Sequence, residues 1–348
     1  MKTIKLTKNI VISEKDRAFI IAEIGSNHNN DLKLAKKMIN EAKKCGADAV
    51  KFQTFKAKYH FSKYSPSFKF LKNKPMYRLI QDLELDRSWH KKLKNYCIKK
   101  KIIFFTSPCD YGAVDDLEKI GVPIYKIASF DITDIDLIKY IAKTKKPIIL
   151  STGLADFKDV FRAIKACEDS GNRKIILLEC TSIYPAPENL MNLNSIVSMR
   201  KKFGVITGFS DHSLGDHMIL ASISLGAKVI EKHFTLNKKM KGPDHNFAME
   251  PKEFKEMVIK IRKIESGLGD GIKKIKSKKE LEMFNKGRRS IHVNKFLKKN
   301  DIIKKEDLII KRPGYGIKPY KWKKVVGKKL LRSVKEDYWL TWQDIKIK

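Results

Sequence analysis

Residues 19–55 read FIIAEIGSNHNNDLKLAKKMINEAKKCGADAVKFQTF and contain the structural unit that decides the fold. A short apolar run ends at Glu23 and a small polar cluster, as a buried strand does when it reaches a loop. The next stretch predicts a helix that begins at Asn30 or Asp31, ends at Gly46 and has one apolar face. That face consists of Leu32, Ala35, Met38, Ile39 and Ala42. A second apolar run, AVKFQTF, then begins the same unit again.

The alternation of strand and helix continues along most of the chain. Six further apolar runs follow, namely KIIFFTSP, VPIYKIAS, KPIILSTG, RKIILLECTS, GVITGFSDH and AKVIEKHF. Amphipathic stretches that predict helices follow the runs, near residues 88–100, 111–119, 134–143, 156–170, 192–202, 214–225 and 251–266. Eight strands, each followed by a helix, predict a (β/α)8 (TIM) barrel. A doubly wound open sheet is the alternative, but no GxGxxG motif follows the first strand.

The pattern changes after the barrel-like part. Residues 1–275 are predicted to form the barrel domain, and the Lys-rich residues 276–289 are predicted to be a linker with some helix. Residues 290–348 contain short strand and turn signals, too few for another strand–helix unit. They are predicted to form a second, small domain.

The net charge of +35 is the unusual feature of the composition. It is compatible with an anionic partner, but only 11 of the 74 basic residues are Arg, and the lysines are spread along the whole chain. Nucleic-acid surfaces favour Arg for its bidentate geometry. We therefore expect no nucleic-acid partner, and we attribute the charge to the coding bias of an AT-rich genome.

The cysteines and the hydropathy pattern predict a cytoplasmic protein. The five cysteines form no CxxC pair, which is typical of a reduced compartment. No window approaches the length of a membrane span, and the first residues do not resemble a signal peptide.

Polar residues stand at the end of every predicted strand. In a barrel these ends meet at one face, where reactive groups lie. Lysines, hydroxyls and glycines suit a phosphate and a carboxylate, whereas histidines and carboxylates suit a metal and proton transfer. His212 and His233 end adjacent strands and are candidates to share one divalent metal, although imidazoles also have many structural roles. Lys51 and Lys126 interrupt apolar strands, so each ammonium group requires an anion as partner.

Nine motifs in the same order resemble the bacterial sialic acid synthase family, which condenses phosphoenolpyruvate with N-acylated aminosugars. They are AEIGSNHN, GADAVKFQTF, YKIAS, ILSTG, CTSIYPAP, GFSDHS, IEKHFTL, GPDH and KRPGYGI. The resemblance runs from about residue 18 to the C-terminus. It implies a TIM barrel followed by a small antifreeze-like (SAF) domain, and a domain-swapped homodimer in which each small domain caps the partner's barrel.

The resemblance also implies a role for each matching residue. Glu23 matches the catalytic acid, and His212 and His233 match the ligands of a manganese or magnesium ion. The phosphoenolpyruvate site is implied to comprise Lys51, Ser107, Lys126, Ser129, Ser151, Ser182 and Ser210. The acceptor-sugar contacts are implied to be Gln53, Tyr184, Asp244 and Arg312, the last from the partner's small domain. Ser182 departs from members that carry Asn there, so a shorter side chain faces the phosphate.

The reaction that the resemblance implies assigns a role to Glu23. The methylene carbon of phosphoenolpyruvate attacks the sugar aldehyde, water attacks the cationic C2, and phosphate leaves by C–O cleavage. Glu23 would take the proton of that water or stabilise the cation. The resemblance points to N-acetylmannosamine as acceptor and N-acetylneuraminate as product, with legionaminate or pseudaminate as alternatives. A Schiff-base aldolase of phosphosugars using Lys51 or Lys126 and a non-catalytic basic binding protein are the more distant alternatives.

Overall fold

A computed structural model of the chain describes residues 2–66, 75–275 and 277–346. It divides into two compact units, Met1–Gly269 and Asp270–Lys348. Within the described residues, none of the helices combines the length and the apolar character that a bilayer-spanning segment needs.

The first unit is built on eight parallel strands, which confirms the predicted barrel. A short antiparallel hairpin, β1 and β2, precedes them. The strands of the unit are β1 (Thr3–Lys5), β2 (Val11–Ser13), β3 (Phe19–Gly25), β4 (Ala49–Thr54), β5 (Ile103–Pro108), β6 (Tyr125–Ile127), β7 (Ile148–Ser151), β8 (Ile175–Cys180), β9 (Ile206–Asp211) and β10 (Val229–His233). The spatial order of the parallel strands is β5-β4-β3-β10-β9-β8-β7-β6. Because β5 and β6, at the two ends of this order, also contact each other, the sheet curves into a nearly closed barrel.

Helices connect the strands. They are α1 (Leu32–Lys44), α2 (Ala57–His60), α3 (Met76–Asp82), α4 (Trp89–Lys100), α5 (Tyr111–Ile120), α6 (Ile135–Lys143), α7 (Phe157–Asp169), α8 (Asn194–Phe203), α9 (His217–Ser224) and α10 (Pro251–Leu268). Helix α1 begins as the sequence predicts, because the Asp31 carboxylate accepts hydrogen bonds from the backbone N–H groups of Lys33 and Leu34. Gly46 follows the helix with φ of +92°, a left-handed conformation that suits glycine.

Two apolar cores stabilise the barrel and leave the carboxyl ends of its strands to polar side chains. The larger core lies between the strands and the helices, and the smaller core fills the barrel interior. Ile4, Leu6 and Ile12 of the β1–β2 hairpin pack into the interior core together with Phe19 and Val229, which stand at the start of their strands. The hairpin therefore closes the N-terminal end of the barrel, and polar groups are left to the carboxyl ends of the strands.

The second unit has its own strands and its own core. Helix α11 (Lys278–Gly287) precedes β11 (Ser290–Val293), which pairs antiparallel with β12 (Leu308–Lys311), and helix α12 (Trp322–Val325) follows. A separate apolar cluster that includes Ile291, Leu330 and Leu340 lies between them. This small core lets the unit be compact by itself.

Candidate active site

The carboxyl ends of the barrel strands bring ionisable side chains together. Glu23 pairs in register with Lys51 of β4 on one side and with His233 of β10 on the other. Successive residues of a strand face opposite sides of the sheet, so Glu231 and His233 share one face of β10. Glu23, Lys51, Lys126 and Glu231 are all buried, with no more than 5% of each side chain exposed.

These four side chains form one ion-paired cluster. Nζ of Lys51 lies 2.8 Å from Oε1 of Glu23 and 3.6 Å from Oε1 of Glu231. Nζ of Lys126 lies 3.8 Å from the same Glu231 oxygen, to which Ser210 also donates a hydrogen bond of 3.0 Å. The cluster balances two carboxylates with two ammonium groups, the arrangement that burial of charge requires.

One oxygen of each carboxylate is left without a partner. Oε1 of Glu23 accepts a hydrogen bond from Nε2 of Gln53 at 3.0 Å, whereas Oε2 is buried and has no partner among the described residues. The Oε2 atom of Glu231 is likewise buried and has no partner among the described residues. A buried carboxylate oxygen with no donor is costly, and it is the kind of group that a substrate, a water or an ion satisfies.

The two carboxyl groups differ in acidity. Burial raises the pKa of Glu23 to about 7, because it outweighs the attraction of Lys51. Burial also pushes the pKa of Glu231 upward, but Lys126, Lys51 and the Ser210 hydrogen bond outweigh it, and the net shift is downward. Two neighbouring carboxyl groups whose pKa values are pushed apart are typical of acid–base pairs in active sites. Glu23 is the one that can exchange a proton near neutral pH.

His212 and His233 face each other, with ring centroids 5.5 Å apart. Nδ1 of His212 lies 2.8 Å from the carbonyl oxygen of Thr181, so the ring proton is on Nδ1. The lone pair of Nε2 is then available to a metal. Nδ1 of His233 is buried, has no hydrogen-bond partner in the described part of the chain and lies 3.8 Å from Oδ2 of Asp244. Burial and the neighbouring His212 hold the pKa of His233 well below its usual value, so this imidazole is neutral, the form that binds metals. Two neighbouring imidazoles are suitable ligands for a divalent cation.

Ser129, Gly153 and Ser182 pack closely together at the ends of β6, β7 and β8. The N–H group of Gly153 donates to Oγ of Ser129 at 3.1 Å. A Cβ atom at Gly153 would come within 2.3 Å of Oγ of Ser182 and 2.8 Å of Oγ of Ser129. Ser151 has a buried hydroxyl with no partner among the described residues. The position of Gly153 therefore has no room for a side chain, and the serine hydroxyls at these strand ends are groups that can donate to phosphate oxygens.

The predicted sugar contacts of the barrel lie beside Glu23. Gly25 has φ of +53°, and a Cβ atom there would lie 3.2 Å from Oε1 of Glu23, 3.4 Å from Nε2 of Gln53 and 3.6 Å from Oδ2 of Asp244. These three side chains therefore surround one point. The Tyr184 ring lies 4.3 Å from the His212 ring. Burial raises the pKa of Asp244 to about 6.

Arg312 lies in the second unit. Its side chain is exposed, and Nε donates to the carbonyl oxygen of Gly287 at 2.7 Å, within the same unit.

Of the remaining predicted residues, Ser107 accepts a hydrogen bond from Nζ of Lys51 at 3.4 Å. All predicted site residues of the barrel thus lie at the carboxyl ends of its strands or in the loops that follow.

Comparison with known proteins agrees with this geometry. Residues 38–273 match the NeuB family, and residues 288–346 match the SAF domain. The chain belongs to the NeuB family. It is 42% identical to the N,N'-diacetyllegionaminic acid synthase of Campylobacter jejuni over 92% of this chain and 98% of that protein. The pseudaminic acid synthase of the same species is 35% identical over 92% and 94%. The crystal structure of a sialic acid synthetase from Leptospira borgpetersenii superposes with a TM-score of 0.74, at 34% identity, over 81% of this chain and 95% of that chain.

NeuB-family enzymes are transferases that condense phosphoenolpyruvate with an aminosugar, and they are generally metal-dependent. Glu231 is among the polar strand ends of the sequence, but the sequence predictions assign it no role in this NeuB site. The sequence signal was present, because Glu231 stands two residues before His233 and so shares its face of the strand.

Other polar strand ends of this NeuB barrel face away from the site. Nζ of Lys232 lies 2.6 Å from Oδ2 of Asp211, and both side chains are almost completely buried. Oγ1 of Thr54 contacts Nε2 of His90, on helix α4, at 3.0 Å, and Oγ1 of Thr106 at 2.9 Å. Because side chains alternate along a strand, these strand residues lie on the face opposite Glu23 and Glu231. There they stabilise contacts between neighbouring strands and with helix α4.

Proposed function

We propose that this chain condenses phosphoenolpyruvate with an N-acylated aminosugar and water to give a nonulosonic acid and phosphate by C–O cleavage. The observation that carries the proposal is the buried cluster of Glu23, Lys51, Lys126 and Glu231 beside the facing imidazoles of His212 and His233. It offers ammonium groups for an anionic substrate, a carboxyl group with a pKa near neutrality and two nitrogen ligands in one place.

Phosphoenolpyruvate would bind among the lysines and the hydroxyls. Lys51 and Lys126 supply the positive charges, and Ser107 and Ser210 accompany them at the strand ends. Ser129 and Ser182, which pack against Gly153, and Ser151 on β7 would donate to the phosphate. Charge-assisted hydrogen bonds of this kind contribute about 1.5–3 kcal/mol each.

Glu23 would act on the water that attacks C2. Its unpaired Oε2 is free to accept a proton, and its pKa of about 7 allows it to take and release one near neutral pH. Gln53 and Lys51 hold Oε1 and thereby fix the orientation of the carboxyl group. Glu231 would keep Lys51 and Lys126 charged and in place.

A manganese or magnesium ion held by His212 and His233, when bound, would polarise the aldehyde oxygen and stabilise the negative charge that develops there. Thr181 fixes the His212 ring through its carbonyl oxygen. Asp244 lies near Nδ1 of His233 and is in position to orient that ring.

The acceptor sugar would bind between Gln53, Tyr184 and Asp244. The higher identity to a legionaminic acid synthase than to a pseudaminic acid synthase favours the dideoxy diamino sugar that leads to legionaminate. N-acetylmannosamine, to which the sequence resemblance first points, remains the comparison acceptor.

A second copy of this chain would complete the site. Exposed apolar side chains stand in five loops at the carboxyl end of the barrel, and such patches mark interaction surfaces. They are Tyr59, Phe130, Leu154, Ile183 and Leu214. We propose that the partner's small domain covers this rim and sends Arg312 to the N-acyl group of the sugar.

Phosphate release from phosphoenolpyruvate tests the reaction. With manganese and a panel of N-acylated aminosugars, release should require an acceptor, and the dideoxy diamino sugar should give a higher kcat/KM than N-acetylmannosamine. Glu23→Gln should lower kcat at least about 100-fold. Glu179→Gln, which changes a carboxylate on β8 that accepts from Ser195, is the matched control and should keep kcat. Equal kcat in Glu23→Gln and the wild type would exclude the role of Glu23.

Mixed dimers test the role of Arg312 in trans. Homodimers of Glu23→Gln and of Arg312→Ala should both be impaired. In a mixed dimer, one barrel keeps Glu23 and receives Arg312 from its partner, so that dimer should regain activity at one of its sites. No recovery in purified mixed dimers would exclude the swapped arrangement.

One observation favours a second candidate function. Burial lowers the pKa of Lys126, and a lysine that forms a Schiff base must be neutral to attack a carbonyl group. Borohydride in the presence of sugar would trap such an intermediate as a mass increase on Lys126. For the proposed condensation we expect no adduct.

A further inference from the structure

A second group of metal-ligating side chains lies on the barrel rim apart from His212 and His233. It consists of His60, Cys109 and Asp131, and one ligand atom from each lies within 4.8 Å of those of the other two. Among the described residues, no other group of three or more His, Cys, Asp or Glu side chains brings its ligand atoms this close together. His60 ends helix α2 after β4, Cys109 follows β5, and Asp131 lies in the short 3-10 helix Ser129–Asp131 after β6. Three loops of the rim therefore meet at one point.

Each of the three side chains is positioned but not committed to another strong interaction. The His60 ring stacks near Phe55, with centroids 6.3 Å apart, and meets the edge of Phe61 at 4.9 Å. The Sγ atom of Cys109 lies no closer than 4.0 Å to the carbonyl oxygen of Ser107, which is a weak contact.

The Asp131 carboxylate has no strong cationic partner. Its side chain is 11% exposed, and within the described ranges His60 alone comes within 4.0 Å of it as an ion-pair partner. Burial raises the pKa of this carboxyl group although His60 and Lys126 act against it, so its charge is only partly balanced. A bound cation would complete that balance.

We propose that His60, Cys109 and Asp131 form a zinc site. Imidazole nitrogen, thiolate sulfur and carboxylate oxygen are the zinc ligands of proteins, and three of them leave one tetrahedral position for water or a ligand oxygen. A thiolate selects zinc over magnesium and manganese, which prefer oxygen donors. The chain would therefore hold two metals of different kinds at one end of the barrel.

Zinc binding to this site requires the Cys109 thiol to lose its proton. Burial and the adjacent Asp131 hold the pKa of the Cys109 thiol well above its ordinary value, so the empty site keeps the thiol protonated. Zinc binding transfers that proton to solvent and forms the sulfur–zinc bond, with no change of oxidation state. Zinc affinity therefore rises with pH, and the bound metal ties together the loops after β4, β5 and β6.

Cobalt substitution tests the site without relying on activity. Co²⁺ bound to a thiolate gives a charge-transfer band in the near ultraviolet, whereas cobalt bound only by imidazole and carboxylate does not. The wild-type protein titrated with Co²⁺ should show this band, and one equivalent of Zn²⁺ per chain should remove it. Cys109→Ser should lose the band, and His60→Ala should bind cobalt at least about 10-fold more weakly.

Cys180 provides the matched control, because its Sγ lies 3.8 Å from Nδ1 of His212. Cys180→Ser should retain the full band, and circular dichroism should show that both serine variants are folded. A band that survives in Cys109→Ser and disappears in Cys180→Ser would place the thiolate at the His212 site and overturn the proposal. No band in wild-type protein would overturn it as well.

Discussion

Replacement of Glu231 with Gln should lower the pKa of Glu23. Both carboxylates contact Nζ of Lys51, at 2.8 and 3.6 Å, so their Oε1 atoms lie at most about 6 Å apart. At an effective dielectric constant of about 20, two unit charges at that distance repel by about 2.7 kcal/mol, equivalent to about two pKa units. Removing the Glu231 charge removes this repulsion. Since the pKa of Glu23 is about 7 in the native protein, it should fall by about two units, toward 5, in the variant.

Carbon-13 NMR of protein labelled at the glutamate carboxyl carbon measures this shift directly, with Glu23→Gln used to assign the resonance. The acidic limb of the pH profile of kcat/KM should move to lower pH in the same variant, because Glu23 loses its proton at lower pH. Glu179→Gln should leave the Glu23 titration unchanged, since it removes a carboxyl group that lies outside the cluster. An unchanged or higher pKa of Glu23 in Glu231→Gln would refute the electrostatic coupling.

Two further changes test other parts of the barrel. Gly153→Ala should raise the KM for phosphoenolpyruvate about 100-fold while leaving metal affinity from calorimetry unchanged, because the new methyl group would displace the Ser182 and Ser129 hydroxyls that are expected to hold the phosphate. An unchanged KM would place the phosphate elsewhere. Lys232→Met should lower the free energy of unfolding in urea by about 3–5 kcal/mol, because it leaves the buried Asp211 carboxylate without its cation. The control Lys260→Met removes an exposed ion pair and should cost less than about 1 kcal/mol; equal losses in the two variants would contradict this reasoning.

The fold could be predicted because its signals are local and repeated. Each buried strand is a continuous apolar run, and helix α1 shows an acidic cap, an apolar face and a closing glycine. The loop after β4 was harder to predict, since α2 and α3 are short and carry no strong periodicity. The interval between β4 and α4 therefore contains structure that the apolar pattern does not reveal.

The site was predictable in its position and less so in its electrostatics. The carboxyl ends of the strands are identifiable from the sequence, but whether Lys232 or Glu231 faces the barrel interior depends on the register of β10. The polar ends of the runs GVITGFSDH and AKVIEKHF include Asp211 and Lys232, which the structure pairs with each other away from the site. The group of His60, Cys109 and Asp131 had no sequence signal, because its members come from three separate loops.

The pairing of charges explains how an apolar barrel tolerates two buried lysines before any substrate arrives. Glu23 and Glu231 act as internal counter-ions for Lys51 and Lys126, so neither ammonium group is left alone in a dry interior. An anionic substrate that approaches the lysines adds negative charge beside Glu23 and disfavours its ionised form further. A higher pKa makes the ionised form of Glu23 a stronger base, so the bound anion would prepare this carboxylate to take the proton of the attacking water. In the proposed reaction, substrate binding and acid–base chemistry would therefore be coupled through one buried carboxyl group.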